Sequence, residues 1–134
     1  MKRAFLDTSA YSVLHRGDER ILDALCEAET LCMSPIVLGE LHVGFRAGRQ
    51  RDENLRQLRR FLDKPLVAVA TLTEETADIY AQVFLTLKAQ GTPIPLNDVW
   101  IAAQCLEQGA VLLTLDQHFQ HVPGLRRWGD STPA

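Results

Sequence analysis

The stretch Ala4-Phe5-Leu6-Asp7-Thr8-Ser9 decides the fold. Three consecutive apolar residues with no polar alternation read as a short strand buried on both faces. The acid and two hydroxyl residues that follow are the types that end a strand and open a helix, with Thr8 or Ser9 as the expected N-cap.

Working outward, the same strand-then-helix unit recurs. Residues 18–28 carry Ile21, Leu22 and Leu25 at helical spacing. Thr30-Leu31-Cys32-Met33 is a second short strand, and Ser34-Pro35 supplies an N-cap followed by proline at the first helical position. That helix is expected to run to about Ala47 and end at Gly48. Leu55, Leu58 and Leu62 mark a helix over about 50–63, and Val67-Ala68-Val69 a third strand. Thr73 caps a helix from about Glu74 to Gln90, ended by Gly91. Thr92-Pro93-Ile94-Pro95 must be irregular, because two prolines break either ladder. Asp98 to Gln108 reads as a helix stopped by Gly109, Val111-Leu112-Leu113 as a strand, and Leu125–Trp128 as a last short one. Strands alternating with helices of this length imply a parallel sheet of about five strands with helices on both faces. In such sheets ligands sit beyond the carboxyl ends of the strands, where strand order reverses, so the residues just after strands matter most.

Composition narrows the function classes. In 134 residues, 46% are hydrophobic and 23% charged, which argues against global disorder. Fourteen basic against 17 acidic residues give a net charge of −3, so bulk positive charge does not hold a nucleic acid. No apolar run is long enough to span a membrane. Met1-Lys2-Arg3 followed by three apolar residues is too short for an export signal. Together with three cysteines (Cys26, Cys32, Cys105) that lack metal spacing, this leads to the expectation of a cytoplasmic protein with reduced thiols.

The acids are the informative residues. Asp7 follows the first strand and Asp116 follows the fourth by three residues. Glu40 has Ile36, Val37, Val43, Gly44 and Ala47 within about 60° on its helix, and Asp98 shares a face with Ile101, Ala102 and Cys105. Each has a bland alternative: a turn or cap for the aspartates, an edge position for Glu40, a dipole-favoured first-turn acid for Asp98. Taken together they place several carboxylates near one crevice with few basic residues beside them. At about 4 Å, like charges repel by roughly 4 kcal/mol at an effective dielectric of 20. A divalent cation removes that cost, and an all-oxygen site suits Mg²⁺ or Mn²⁺ rather than zinc. One use of such a site is phosphodiester hydrolysis with a metal-activated water.

Asp7-Thr8-Ser9 at a strand end, Glu40 early in a helix, Asp98-Val99-Trp100-Ile101-Ala102-Ala103, and Thr114-Leu115-Asp116-Gln117-His118-Phe119 after a strand resemble, in this order, the PIN-domain pattern. Length and order are similar to the VapC-type toxins of toxin–antitoxin pairs, over roughly residues 2 to 128. The resemblance implies a PIN-like three-layer α/β/α fold, one nuclease domain over 1–129 and a loose tail at 130–134. It implies a Mg²⁺- or Mn²⁺-dependent endoribonuclease with one or two ions, inhibited by a cognate antitoxin protein and forming a homodimer and a toxin–antitoxin hetero-oligomer. By position, Asp7, Glu40 and Asp98 would be the core metal-holding and catalytic acids, with Asp116 the fourth. Thr8, Ser9 and Thr114 would orient ligands through their hydroxyls. The alternatives are a PIN nuclease of RNA processing without an antitoxin, and an inactive PIN-like protein-binding module.

Other features stand beside this pattern. Arg46, Arg49, Arg51, Arg56, Arg59 and Arg60 bunch six of the fourteen basic residues into one segment. They are either a solvated helix face or an RNA or partner surface; Arg46, Arg49, Arg56, Arg59 and Arg60 are the candidates for the latter. His118 and His121 have no further cysteine or histidine nearby, which argues against zinc; His118, two residues after Asp116, either reaches a scissile phosphate or sits in a loop, and the loop is the first reading. Trp100 and Phe119 read as core before base-stacking residues. No GxG occurs, which excludes a glycine-rich nucleotide loop. One bound divalent ion would take the formal charge from −3 to about −1 and a second to about +1, so the total says little about the partner.

Overall fold

The computed structural model describes residues 1–129; the expected loose tail at 130–134 lies outside the described residues. Five strands form one sheet: β1 (Arg3–Leu6), β2 (Thr30–Met33), β3 (Val67–Val69), β4 (Val111–Leu113) and β5 (Arg126–Arg127). Their order is β3-β2-β1-β4-β5, and every neighbouring pair is parallel. β1 is therefore central. The chain builds outward from it on one side through β2 and β3, then crosses to the other through β4 and β5. The order reverses between β1 and β4, whose register pairs Leu6 with Leu113.

Six helices cover the sheet in a three-layer α/β/α arrangement: α1 (Thr8–His15), α2 (Glu19–Glu27), α3 (Pro35–Ala47), α4 (Arg51–Leu62), α5 (Glu74–Gln90) and α6 (Leu96–Gln108). A 3-10 helix, Gln117–His121, follows β4. The strands are short and apolar because helices pack on both faces. Phe5, Leu6, Met33, Leu112 and Leu113 are all fully buried. Burying each such side chain contributes roughly 1.5–3 kcal/mol. Ile101, Ala102 and Cys105 of α6 join that core, as their helical spacing requires.

Start and stop residues act mostly as read. Ser34 caps α3 with Pro35 in its first turn, and Thr73 caps α5 in a reciprocal pair with Thr76. Gly91 and Gly109 end α5 and α6 in the left-handed region, where a β-carbon would be strained. The helix after β1 departs from expectation. Its N-cap is Asp7 itself, whose side chain accepts from the Ala10 amide, not Thr8 or Ser9. Asp7 already has extended backbone at the strand end, which frees both hydroxyls for longer-range bonds. α6 also begins earlier, at Leu96 rather than Asp98, because Pro95 takes the extended cap position and places Asp98 in the first turn.

A second departure concerns α3. Its apolar surround of Glu40 predicts a covered helix, yet only Val37 and Leu41 are buried and Val43 is 71% exposed. Residue type around one helix does not reveal which face meets the sheet and which is left for solvent or a partner.

Candidate active site

The site forms where strand order reverses, and Asp7 is its anchor. Asp7 Oδ1 accepts from the Ala10 amide at 2.9 Å and from Ser9 Oγ at 2.7 Å. Its other oxygen accepts from Thr114 Oγ1. Both hydroxyls accept in turn from the segment after β4: Ser9 Oγ from the Leu115 amide at 3.0 Å, Thr114 Oγ1 from the Asp116 amide at 2.9 Å. Two hydroxyl relays thus fasten the ends of β1 and β4 around one carboxylate. Asp7 is only 4% exposed. Burial pushes its carboxyl up, the hydrogen bonds from Thr114, Ala10 and Ser9 pull it down, and the charge of Asp116 pushes it up again.

Asp98 enters from the first turn of α6. It is 8% exposed, flanked by the buried Val99 and Ile101, and burial pushes its carboxyl up to about 6. The hydrogen bond and charge of His118 oppose that rise; the charges of Asp116 and Glu40 reinforce it. Asp116 caps the 3-10 helix, its Oδ1 accepting from the His118 amide at 2.9 Å. The tight turn folds His118 back, so that Nδ1 lies 3.1 Å from Asp98 Oδ2 and 3.0 Å from Asp116 Oδ1. Phe119, fully buried, pins this turn into the core.

Glu40 is held from two sides. Thr8 Oγ1 donates to Glu40 Oε1 at 2.7 Å, and Asn97 Nδ2 approaches Oε2 at 3.5 Å. The four acids read from the sequence thus gather at one end of the sheet, and Thr8, Ser9 and Thr114 each bond to an acid. Among the described residues, none of the four forms an ion pair with lysine or arginine. The convergence is uneven. Donor atoms of Asp98, Asp116 and His118 lie within 4.8 Å of one another, whereas Asp7 and Glu40 face their hydroxyl partners.

Two residues at the site carry little signal in the sequence. His118 reads first as a loop residue, and its one pointer is its place two residues after Asp116. Asn97 stands just before the expected helix start at Asp98, and nothing in the sequence marks it. The arginine candidates lie elsewhere. Arg56 and Arg60 reach Glu53 within α4, and Arg59 reaches Asp63 just past its end; all three arginines are exposed. Arg46 and Arg49 are exposed at and beyond the end of α3. Trp100 stacks on Tyr80 of α5 at 4.0 Å, a helix-to-helix contact.

Comparison with known proteins agrees with this geometry. The PIN domain family matches residues 4–125. Ribonuclease VapC1 of Haemophilus influenzae strain R2866 is 31% identical over 132 residues, spanning 95% of this chain and 96% of that protein. Among solved structures, VapBC-1 from nontypeable Haemophilus influenzae aligns with a TM-score of 0.82 at 28% identity, over 93% of this chain and 96% of that one. VapBC2 from Rickettsia felis, bound to a DNA fragment from its promoter, shares the fold with a TM-score of 0.81 at 22% identity, over the same shares of the two chains. A match across nearly the whole chain, with acids gathered where the strand order reverses, makes this protein a member of the PIN-domain family and, within it, of the VapC type.

Proposed function

We propose that this protein is a divalent-metal-dependent endoribonuclease, the toxin of a toxin–antitoxin pair, acting as one cytoplasmic nuclease domain over residues 1–129. The observation that carries this reading is the gathering of Asp7, Glu40, Asp98 and Asp116 where strand order reverses, with no lysine or arginine paired to them among the described residues. The name of the VapC1 relative and the complexes in which the VapBC neighbours were solved support it.

The donor set fits a divalent ion. Asp98 is a buried carboxylate whose ionised form is disfavoured by burial and by two neighbouring acids, and a cation is what such a group lacks. Asp98 and Asp116 would hold the ion, with Asp7 and Glu40 completing the acidic wall. Mg²⁺ or Mn²⁺, once bound, supplies an activated water and neutralises charge developing on the phosphate. The chain's own contribution is orientation. Ser9 and Thr114 fix both oxygens of Asp7, and Thr8 aims Glu40, so the carboxylates need little rearrangement during the reaction.

An antitoxin needs surface to cover. An apolar groove of about 400 Å³, lined by residues that include Leu14, Leu25, Phe61, Leu66 and Val67, is a candidate for that surface. The exposed arginines of α4 remain the candidate surface for RNA phosphates or for that partner. No helix among the described residues is long and apolar enough to cross a membrane.

The test is direct. Purified protein should cleave single-stranded RNA with millimolar Mg²⁺ or Mn²⁺ and stop in excess EDTA, and Asp98→Asn should be inactive yet folded. Equal cleavage in EDTA would overturn the metal dependence. The open reading frame beside its gene should encode a short DNA-binding protein whose co-expression suppresses cleavage. Cleavage without such a neighbour would favour an RNA-processing nuclease.

A further inference from the structure

The histidine in the acidic crevice has a chemical consequence beyond the four carboxylates. We infer that His118 supplies a nitrogen ligand through Nδ1 beside Asp98 and Asp116, and that it makes this centre prefer Mn²⁺ to Mg²⁺. The inference rests on reading the crevice as a metal-dependent nuclease site.

The geometry is specific to one ring atom. Nδ1, and not the ring's outer edge, lies 3.1 Å from Asp98 Oδ2 and 3.0 Å from Asp116 Oδ1. One donor atom from each of the three residues falls within 4.8 Å of the others, a spacing one ion can span. The three come from two independent elements, the first turn of α6 and the turn after β4. The ring is held there by structure, not by chance rotation. The His118 amide donates to Asp116 Oδ1, and the next residue, Phe119, is 1% exposed, so the backbone beneath the imidazole is fixed. Among the described residues no bond competes for Nε2, and the side chain as a whole is 51% exposed.

In the neutral tautomer that carries its proton on Nε2, at the solvent side, the Nδ1 lone pair faces the two carboxylates and would be available to an ion held there. Mg²⁺ is a hard ion that favours oxygen and gives up its waters reluctantly. A first-row transition ion accepts imidazole readily. A centre of two carboxylates and one imidazole therefore discriminates where an all-carboxylate centre does not.

The experiment uses the full chain with Mn²⁺ or Mg²⁺ alone, without RNA. Calorimetric titrations of wild type, His118→Ala and Asp98→Asn are paired with pulsed electron paramagnetic resonance of the Mn²⁺-loaded forms. Wild type should show ¹⁴N coupling to Mn²⁺ that His118→Ala lacks. His118→Ala should lose about tenfold in Mn²⁺ affinity and less than about threefold in Mg²⁺ affinity, while Asp98→Asn should lose both ions. Absence of ¹⁴N coupling in Mn²⁺-loaded wild type overturns the inference. So does an equal loss for the two ions in His118→Ala, which would make the ring a positioning group for the acids. Those outcomes leave the metal reading intact as long as Asp98→Asn abolishes binding. If wild type binds neither ion and RNA cleavage survives EDTA, the metal reading itself has failed and His118 falls with it.

Discussion

Thr8 Oγ1 donates to Glu40 Oε1 at 2.7 Å, joining the first turn of α1 to the middle of α3 across 32 residues. Glu40 sits on a helix whose far side is open to solvent, so nothing in its own helix fixes its rotamer. The Thr8 hydroxyl does that from the first turn of α1, with Asn97 approaching the other oxygen. Thr8 is free for this bond because Asp7, not Thr8, caps α1.

Thr8→Val tests that link with a side chain of nearly the same shape. Losing one hydrogen bond should cost about 1 kcal/mol of stability, small enough to leave the fold intact. RNA cleavage should fall roughly tenfold, since a misaimed carboxylate costs more in reaction geometry than in stability. Thermal melting and initial cleavage rates on the same preparation check both. Unchanged cleavage would mean that Thr8 does not orient Glu40 for the reaction.

Asp7 does two jobs, and two substitutions separate them. Asparagine keeps an oxygen for the Ala10 amide and Ser9, so Asp7→Asn should retain the cap and fold normally. Its amide nitrogen would face Thr114 Oγ1, which can accept instead of donate. Cleavage should still be abolished, because the charge is gone. Asp7→Ala removes the cap and leaves Ser9 and Thr114 without their shared acceptor, so it should also lose about 2–4 kcal/mol in denaturant unfolding. If both variants unfold alike, the cap is not what the carboxylate contributes.

The contrast between these residues shows how much of the site the sequence carried. Asp7 and Asp116 were legible because they follow apolar runs, and a parallel sheet makes strand ends converge. Asp98 was legible because Ile101, Ala102 and Cys105 share its face, and all three are buried with it. The same argument misread Glu40's surroundings, since Val43 is exposed despite its apolar neighbours. Periodicity says that a face is apolar, not that this chain covers it. The five strands and the helices between them followed from short apolar runs alternating with helical spacing, and from the caps, prolines and glycines that bound them. The strand order, and hence the reversal between β1 and β4, did not, because it depends on which edge each crossover returns to. His118 was out of reach for a related reason. A five-residue 3-10 turn has no repeating pattern, and its ring meets Asp98 through a contact 20 residues away in sequence.

Phe119 connects the core to that turn. Phe119→Leu should cost about 1 kcal/mol, whereas Phe119→Ala should cost about 3–5 kcal/mol and threaten the fold. The leucine variant should bind Mn²⁺ several-fold more weakly while its melting remains cooperative, because the residue beneath His118 is no longer pinned. Calorimetry and thermal melting check this pair. Wild-type affinity in Phe119→Leu would show that Asp116's own cap is enough to hold the turn.

Asp98 gives the sharpest dependence on pH. Its carboxyl is raised to about 6, mainly by burial, from an ordinary value of 3.8. The native state therefore holds this proton more tightly than the unfolded chain does. Asp98 favours folding below about pH 4, and that contribution is lost as pH rises through about 6. Ionised Asp98 in the ion-free protein thus costs stability at pH 8, at most about 3 kcal/mol and nearer 1 with the side chain still 12% exposed. Asp98→Asn removes the charge and keeps the shape, so ion-free Asp98→Asn should melt later than wild type at pH 8. The gap should narrow through pH 6 and vanish by about pH 4. Saturating Mn²⁺ should reverse the order at pH 8, because only wild type gains the ion's binding energy. Melting curves at three pH values, with EDTA and with Mn²⁺, check every arm. A wild type that outlasts Asp98→Asn in EDTA at pH 8 would mean that Asp98 is stabilised as an anion by the first turn of α6 and His118, with no need for a cation.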